Sequence, residues 1–275
     1  MQIRPENVTL AQLGLNDEGP LALIDAAATA GFRGLGLPLR SGALRNLKFE
    51  IVGNRQLVRQ IRRAADAAGV IIFDTESLVL GHEPEKDALK ATFETAAELG
   101  ASRMSCLGYE PAIGPGCMQP GEEPEHLARI CALAAEFGLL IGVEFMLFRS
   151  IRTMQAARKI ILQSEAPNVR IILDALHCHR SGLTPEALAA LEPDLISHLQ
   201  LCDAAKKRPD ADRLVDEARA ERLMPGEGVI PLRQMLRALP RDIPLSLEIP
   251  VGSIRHLAVA ERARRGAESL AHLSI

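Results

Sequence analysis

The feature that most constrains this chain is a rhythm in which short apolar runs alternate with longer amphipathic stretches. Eight runs stand out, at 8–15, 32–39, 70–80, 102–108, 139–147, 169–176, 195–202 and 243–250. Several are near-continuous Val/Ile/Leu, the composition of strands buried on both faces of a parallel sheet. Between them apolar residues recur at helical steps. In 54–68, Leu57, Val58, Ile61, Ala64, Ala65 and Ala68 form one stripe, and Gly69 offers the left-handed position that ends a helix. The stretches 20–30, 84–99 and 124–137 are likewise followed at once by Gly31, Gly100 and Gly138, and further helices are predicted at 151–164, 184–191, 230–239 and 253–271.

Eight consecutive strand–helix units in 275 residues predict a single α/β domain over 1–275, a (β/α)8 TIM barrel. A doubly wound open sheet is the alternative. It would want a glycine-rich phosphate turn after the first strand, where this chain has DEGP. Two segments break the rhythm: the Gly/Pro-rich stretch 108–121 after the fourth strand and the charged stretch 203–228 after the seventh. Both are expected to be long loops on the C-terminal side of the barrel, where such folds keep their active sites.

Composition removes several classes of function. Lys+Arg 32 against Asp+Glu 35 gives a net charge of −3 with no basic stripe, which argues against nucleic acid as a partner. Seven Phe, one Tyr and no Trp leave little for a stacking platform. No apolar run reaches the roughly 18 residues of a membrane span, and the N-terminal MQIRPENVTL lacks the layout of a signal peptide. Five cysteines without a C-x-x-C argue against a disulfide framework or a structural zinc site. The expectation is a cytoplasmic protein with reduced cysteines, no membrane association and a homo-oligomer left open.

Charge inside buried strands needs a reason. Glu144 (IGVEF), Asp174 (IILDAL), Gln200 (SHLQLC) and Glu248 (LSLEIP) fall near the C-terminal ends of the fifth to eighth strands, so a closed barrel brings them to one mouth. Three carboxylates and an amide oxygen around one point would repel unless a cation sits among them, and an all-oxygen set favours Mg2+ or Mn2+ over Zn2+. The alternative is that each is a capped or salt-bridged residue at a strand end. His177, three residues after Asp174, falls near the same mouth; otherwise it is a solvent-facing loop residue. His198 lies one layer deeper than Gln200, in support of the set or in contact with it. Arg222, opening R-L-M-P-G, offers a rigid fork to a carboxylate or hydroxyl, or else belongs to a charged surface helix. Glu76 in FDTES is a weaker candidate for the mouth, and Cys178 and Cys202 are read as packing residues.

At these residues the chain resembles the xylose isomerase-like TIM barrels, the sugar phosphate isomerase/epimerase superfamily with its hydroxypyruvate isomerase, ketose 3-epimerase and 3-dehydroshikimate dehydratase branches. The resemblance implies one divalent metal, Mn2+ or Mg2+ with Co2+ possible, held by Glu144, Asp174, Gln200 and Glu248. It also implies Glu144 and Glu248 as base and acid, with His177 and Arg222 orienting a small polyol or keto substrate beside Glu76. The implied activity is isomerisation or epimerisation through a metal-stabilised enediolate. A dehydratase of the 3-dehydroshikimate or inosose type is the alternative, kept close by Gln200 where the epimerases carry His. An inert metabolite-binding barrel is the third reading.

Overall fold

The computed structural model describes residues 3–15, 17–42, 46–119 and 121–273; Pro120 of the 108–121 stretch and residues 1–2 of the N-terminal stretch lie outside the described residues. Its strands are β1 (Val8–Leu10), β2 (Gly34–Pro38), β3 (Ile71–Val79), β4 (Arg103–Leu107), β5 (Leu140–Glu144), β6 (Val169–Asp174), β7 (Ile196–Leu201) and β8 (Leu245–Leu247). They pair in parallel in chain order, and β8 pairs back onto β1 to close the barrel. Each lies within one of the eight apolar runs. Closure leaves no free sheet edge, and the outer faces of the strands are covered by helices, as the near-absence of charge in the runs requires.

The helices are α1 (Pro20–Thr29), α2 (Arg55–Ala68), α3 (Lys86–Glu98), α4 (Glu123–Ala135), α5 (Met154–Ser164), α6 (Ala175–Arg180), α7 (Pro185–Ala189), α8 (Leu214–Ala220), α9 (Leu232–Ala238) and α10 (Val259–Ser269). In α2 the Asn54 side chain accepts the Leu57 N–H at 3.0 Å, Val58, Ile61 and Ala65 face inward, and Gly69 ends the helix at φ 63°. A side chain at that φ would be strained, which is why glycine stands there. Full burial of Ile61 contributes roughly 1.5–3 kcal/mol. Among the described residues no helix is long and apolar enough to cross a membrane.

Three expectations need correction. The run 169–176 is not one strand: it stops at Asp174, whose side chain accepts the His177 N–H at 3.0 Å and starts α6. His177 is therefore a buried helical residue rather than part of a loop. The 253–271 helix begins only at Val259, after a separate 3-10 turn at Gly252–Ile254. The 203–228 stretch is no open loop. It carries a 3-10 turn at Ala211–Arg213, then α8, and returns to the barrel through an antiparallel bridge between Asp203 and Leu223. Most of its charges are exposed, but buried Glu217 on α8 is taken out of water by pairing with buried Arg180 on α6, outside the stretch, through two contacts of 3.0 and 2.5 Å.

Candidate active site and metal centre

Glu144 ends β5, Asp174 ends β6, Gln200 is the penultimate residue of β7, and Glu248 directly follows β8. Asp174 stands beside Gln200 in the β6–β7 register. Glu248 N–H donates to the Leu201 carbonyl at 2.9 Å, continuing the ladder past the end of β8. All four side chains are buried, Asp174 completely.

So much buried acid is held by Arg222, itself 2% exposed. Its Nη1 lies 2.5 Å from Asp174 Oδ2 and its Nη2 2.7 Å from Glu248 Oε2. Its Nε donates to the Ala218 carbonyl at 2.8 Å, which aims the fork. Gln200 Nε2 donates to Glu248 Oε1 at 3.3 Å. Burial would push the Asp174 carboxyl up, but Arg222, His177 and the His177 N–H together hold it below the ordinary range. Glu144 goes the other way: burial, then the charges of Glu248 and Asp174, push it well above its ordinary value. Glu248 is also pushed well up, by burial with Asp174 and Glu76 adding repulsion, despite the opposing pull of Arg222.

Three polar atoms here are buried without a hydrogen-bond partner: Glu144 Oε1, His177 Nε2 and Gln200 Oε1. Glu144, Asp174 and His177 can each bring one donor atom within 4.8 Å of the others. With all carboxylates ionised, Glu144, Asp174 and Glu248 outweigh Arg222 by two negative charges, which one divalent cation neutralises. Unpaired buried donors converging on a net-acidic point are what a metal site looks like before the ion is counted. His177 adds a nitrogen to a set expected to be purely oxygen. Burial, then Arg222 and Arg149, lower its pKa to about 4 although Asp174 opposes them, so the imidazole is neutral near pH 7 and can ligate or hydrogen-bond.

Above this cluster opens a cavity of about 270 Å³ lined by Glu144, His177, Arg222, Glu248, Glu76 and Arg149 among others. The structure thus brings the three residues expected to contact substrate, His177, Arg222 and Glu76, to the same mouth. Glu76 accepts a hydrogen bond from Gln12 Nε2, a fully buried residue after β1 that the sequence did not reveal. Arg149 was also missed. It is 3% exposed and reaches Glu110 at 3.4 Å, while its Nε has no partner. His198 lies deeper, against Ser197 (3.0 Å) and the edge of Phe73, and Cys178 and Cys202 are buried.

Asp203 is the further omission. Its carboxylate accepts the N–H groups of Ala204, Gly226, Gly228 and Ile230 at 2.9–3.0 Å, folding the Pro-Gly turn back under Arg222. Gly228 admits no side chain, since a Cβ there would sit 2.3 Å from the Ala204 carbonyl oxygen. The signal was the D-x(22)-G-x-G spacing, which has no local periodicity to betray it. Asp203→Ala should lower stability by about 2–4 kcal/mol, because several buried donors lose a charged acceptor at once. Urea denaturation checks this, and a loss under 1 kcal/mol would remove Asp203 as the anchor of the turn.

Against known proteins, the family described as xylose isomerase-like TIM barrel matches residues 24–273. A 3-dehydroshikimate dehydratase of Pseudomonas aeruginosa is 27% identical over 198 residues, covering 70% of this chain but 30% of that protein, so this chain spans about a third of the relative's length. Among solved structures, IolI with a bound zinc atom superposes with a TM-score of 0.74 at 18% identity, covering 96% of both chains. D-psicose 3-epimerase of Clostridium cellulolyticum H10 superposes with a TM-score of 0.69 at 14% identity, covering 98% of this chain and 100% of that one. At these identities the structures speak for the fold.

Proposed function

From the premise that the chain belongs to the xylose isomerase-like TIM barrel family, we propose that it is a divalent-metal-dependent enzyme removing a proton from a carbon next to a carbonyl. The observation that carries this is the trio of buried, unpartnered atoms on Glu144, His177 and Gln200 beside the Arg222-clamped carboxylates. Glu144, Asp174, Gln200 and Glu248 would hold the ion, with His177 at its edge. The bound ion supplies Lewis acidity toward the substrate's carbonyl and hydroxyl oxygens.

Glu144, in the cavity wall with its Oε1 3.7 Å from His177 Nε2, takes the proton, and the electron pair left on carbon delocalises into the carbonyl. Glu248, also in the cavity wall, gives or takes the second proton. Arg222 holds Glu248 in one orientation, and neutral His177 offers its ring to a substrate hydroxyl. The cavity of about 270 Å³, with Glu76 and Arg149 in its wall, leaves room for a small molecule, just below the ~300–1,000 Å³ common for such sites.

Two outcomes share this first step. In a dehydration, the electron pair forms a C=C bond as the neighbouring C–O bond breaks, and the departing hydroxyl takes a proton to leave as water. In an isomerisation or epimerisation, the proton returns to the adjacent carbon or the opposite face. Isomerisation stood first on the sequence alone. The dehydratase relative favours dehydration, and the epimerase-like fold supports the second reading. Incubating the Mn2+-loaded protein with 3-dehydroshikimate, inososes, hydroxypyruvate and ketoses in D2O separates them by NMR. An alkene product selects dehydration, deuterium at one carbon without loss of water selects isomerisation, and neither with any compound counts for an inert binding barrel.

Gln200 sets the metal preference. An amide oxygen is a poorer donor than imidazole toward later transition metals. Gln200→His should therefore raise Co2+ affinity relative to Mn2+ by about tenfold or more. Titration calorimetry on metal-free protein measures the ratio, and an unchanged ratio would take Gln200 away from the metal.

A further inference from the structure

A second group of metal-ligating side chains lies outside the cavity. Glu83 follows β3, Cys117 lies in the stretch after β4, and His126 is on α4; each can bring a donor atom within 4.8 Å of the others. Glu83 Oε1 is 2.8 Å from His126 Nδ1, so carboxylate and imidazole already hold one another in place. Glu83 Oε2 is buried with no partner, His126 is 8% exposed, and Cys117 is exposed as a free thiol.

The scaffold beneath is built for close approach. Cys117 N–H donates to the Gly81 carbonyl at 3.0 Å, and His82 Nε2 meets the Gly114 carbonyl at 2.9 Å. Gly81 and Gly116 both have positive φ, and a Cβ on Gly116 would sit 1.9 Å from the Gly81 carbonyl oxygen. Only glycine at both positions lets the two loops touch, and that contact sets the thiol over the carboxylate.

We propose that Glu83, Cys117 and His126 form a zinc site separate from the reaction centre, stapling the loops after β3 and β4 to α4. Thiolate, imidazole and carboxylate are the donors Zn2+ selects over Mn2+ and Mg2+. Tetrahedral donors at bond lengths of about 2.0–2.3 Å lie roughly 3.3–3.8 Å apart, so the widest separation needs to close by about 1–1.5 Å. Glu83 and His126 exchange their 2.8 Å hydrogen bond for bonds to the ion. A thiolate and a carboxylate balance the ion's charge, and the fourth position is open to water. The absence of a C-x-x-C gave no hint of it, since the ligands come from three separate elements. The inference does not rest on the catalytic reading.

The test uses the 275-residue chain, stripped with chelator and titrated with Co2+ as a spectroscopic stand-in for Zn2+. A thiolate-to-Co2+ charge-transfer band in the near ultraviolet should appear, persist in Glu144→Gln, and vanish in Cys117→Ser. The latter change is at an exposed position and should leave the circular dichroism intact. Bound Zn2+ per chain should fall by one in Cys117→Ser, with affinity for that equivalent reduced at least tenfold. No charge-transfer band in the unaltered protein, or a band that survives Cys117→Ser, overturns the proposal.

Discussion

Glu144→Gln and Glu248→Gln are each expected to lower kcat by about two to four orders of magnitude, the range contributed by a positioned proton-transfer group, while KM changes far less. An amide keeps the shape and can still offer an oxygen to an ion or to Arg222, but it cannot accept a proton. Burial first pushes both carboxyls well above their ordinary values. The decisive comparison is single-turnover rate against metal content. A variant that binds the ion and keeps near-normal kcat would strike that residue from the chemistry.

The second large effect is on stability. Arg222→Leu should destabilise the fold by about 3–5 kcal/mol, because it leaves Asp174 and Glu248 as buried charges without a counter-ion. For a chain of this size that is roughly a 10 °C fall in Tm. The pH dependence has a definite sign. Asp174, opposed by burial but held below its ordinary value chiefly by Arg222, contributes stability that is present above the usual carboxylate range and lost as pH falls through its folded pKa. In Arg222→Leu that contribution is gone at neutral pH already, so the gap between the two proteins should narrow as the pH falls below the usual carboxylate range. Mn2+ should stabilise the variant more than the unaltered protein, since a cation then supplies the missing charge. Equal thermal midpoints without metal at pH 7 would mean that the clamp carries no stability.

Much of this architecture is legible in the linear chain. Burial of a parallel sheet on both faces forces unbroken apolar runs, and eight of them with helical stripes between admit little but a closed barrel. The same logic exposed Glu144, Asp174, Gln200 and Glu248, since a polar residue inside a strand that must be dry stands out without any knowledge of its neighbours. Gly69 ended its helix where the spacing put it, because a positive φ is a local demand.

What only the tertiary structure decided are the pairings across elements. Asp174 is both the end of a strand and the cap of α6, so the chain turns into a helix where apolar periodicity continued the strand. Arg222 is legible as a fork for a carboxylate or hydroxyl, but only the folded chain shows that the carboxylates it grips are Asp174 and Glu248. Arg180 and Glu217, Gln12 and Glu76, Asp203 with the N–H groups of Gly226, Gly228 and Ile230, and Glu83 with Cys117 and His126 likewise meet across tens of residues. A local pattern reports which side of an element must be dry. Which charge meets which depends on how loops return to the barrel mouth, and that is set by long-range packing with no period in the sequence.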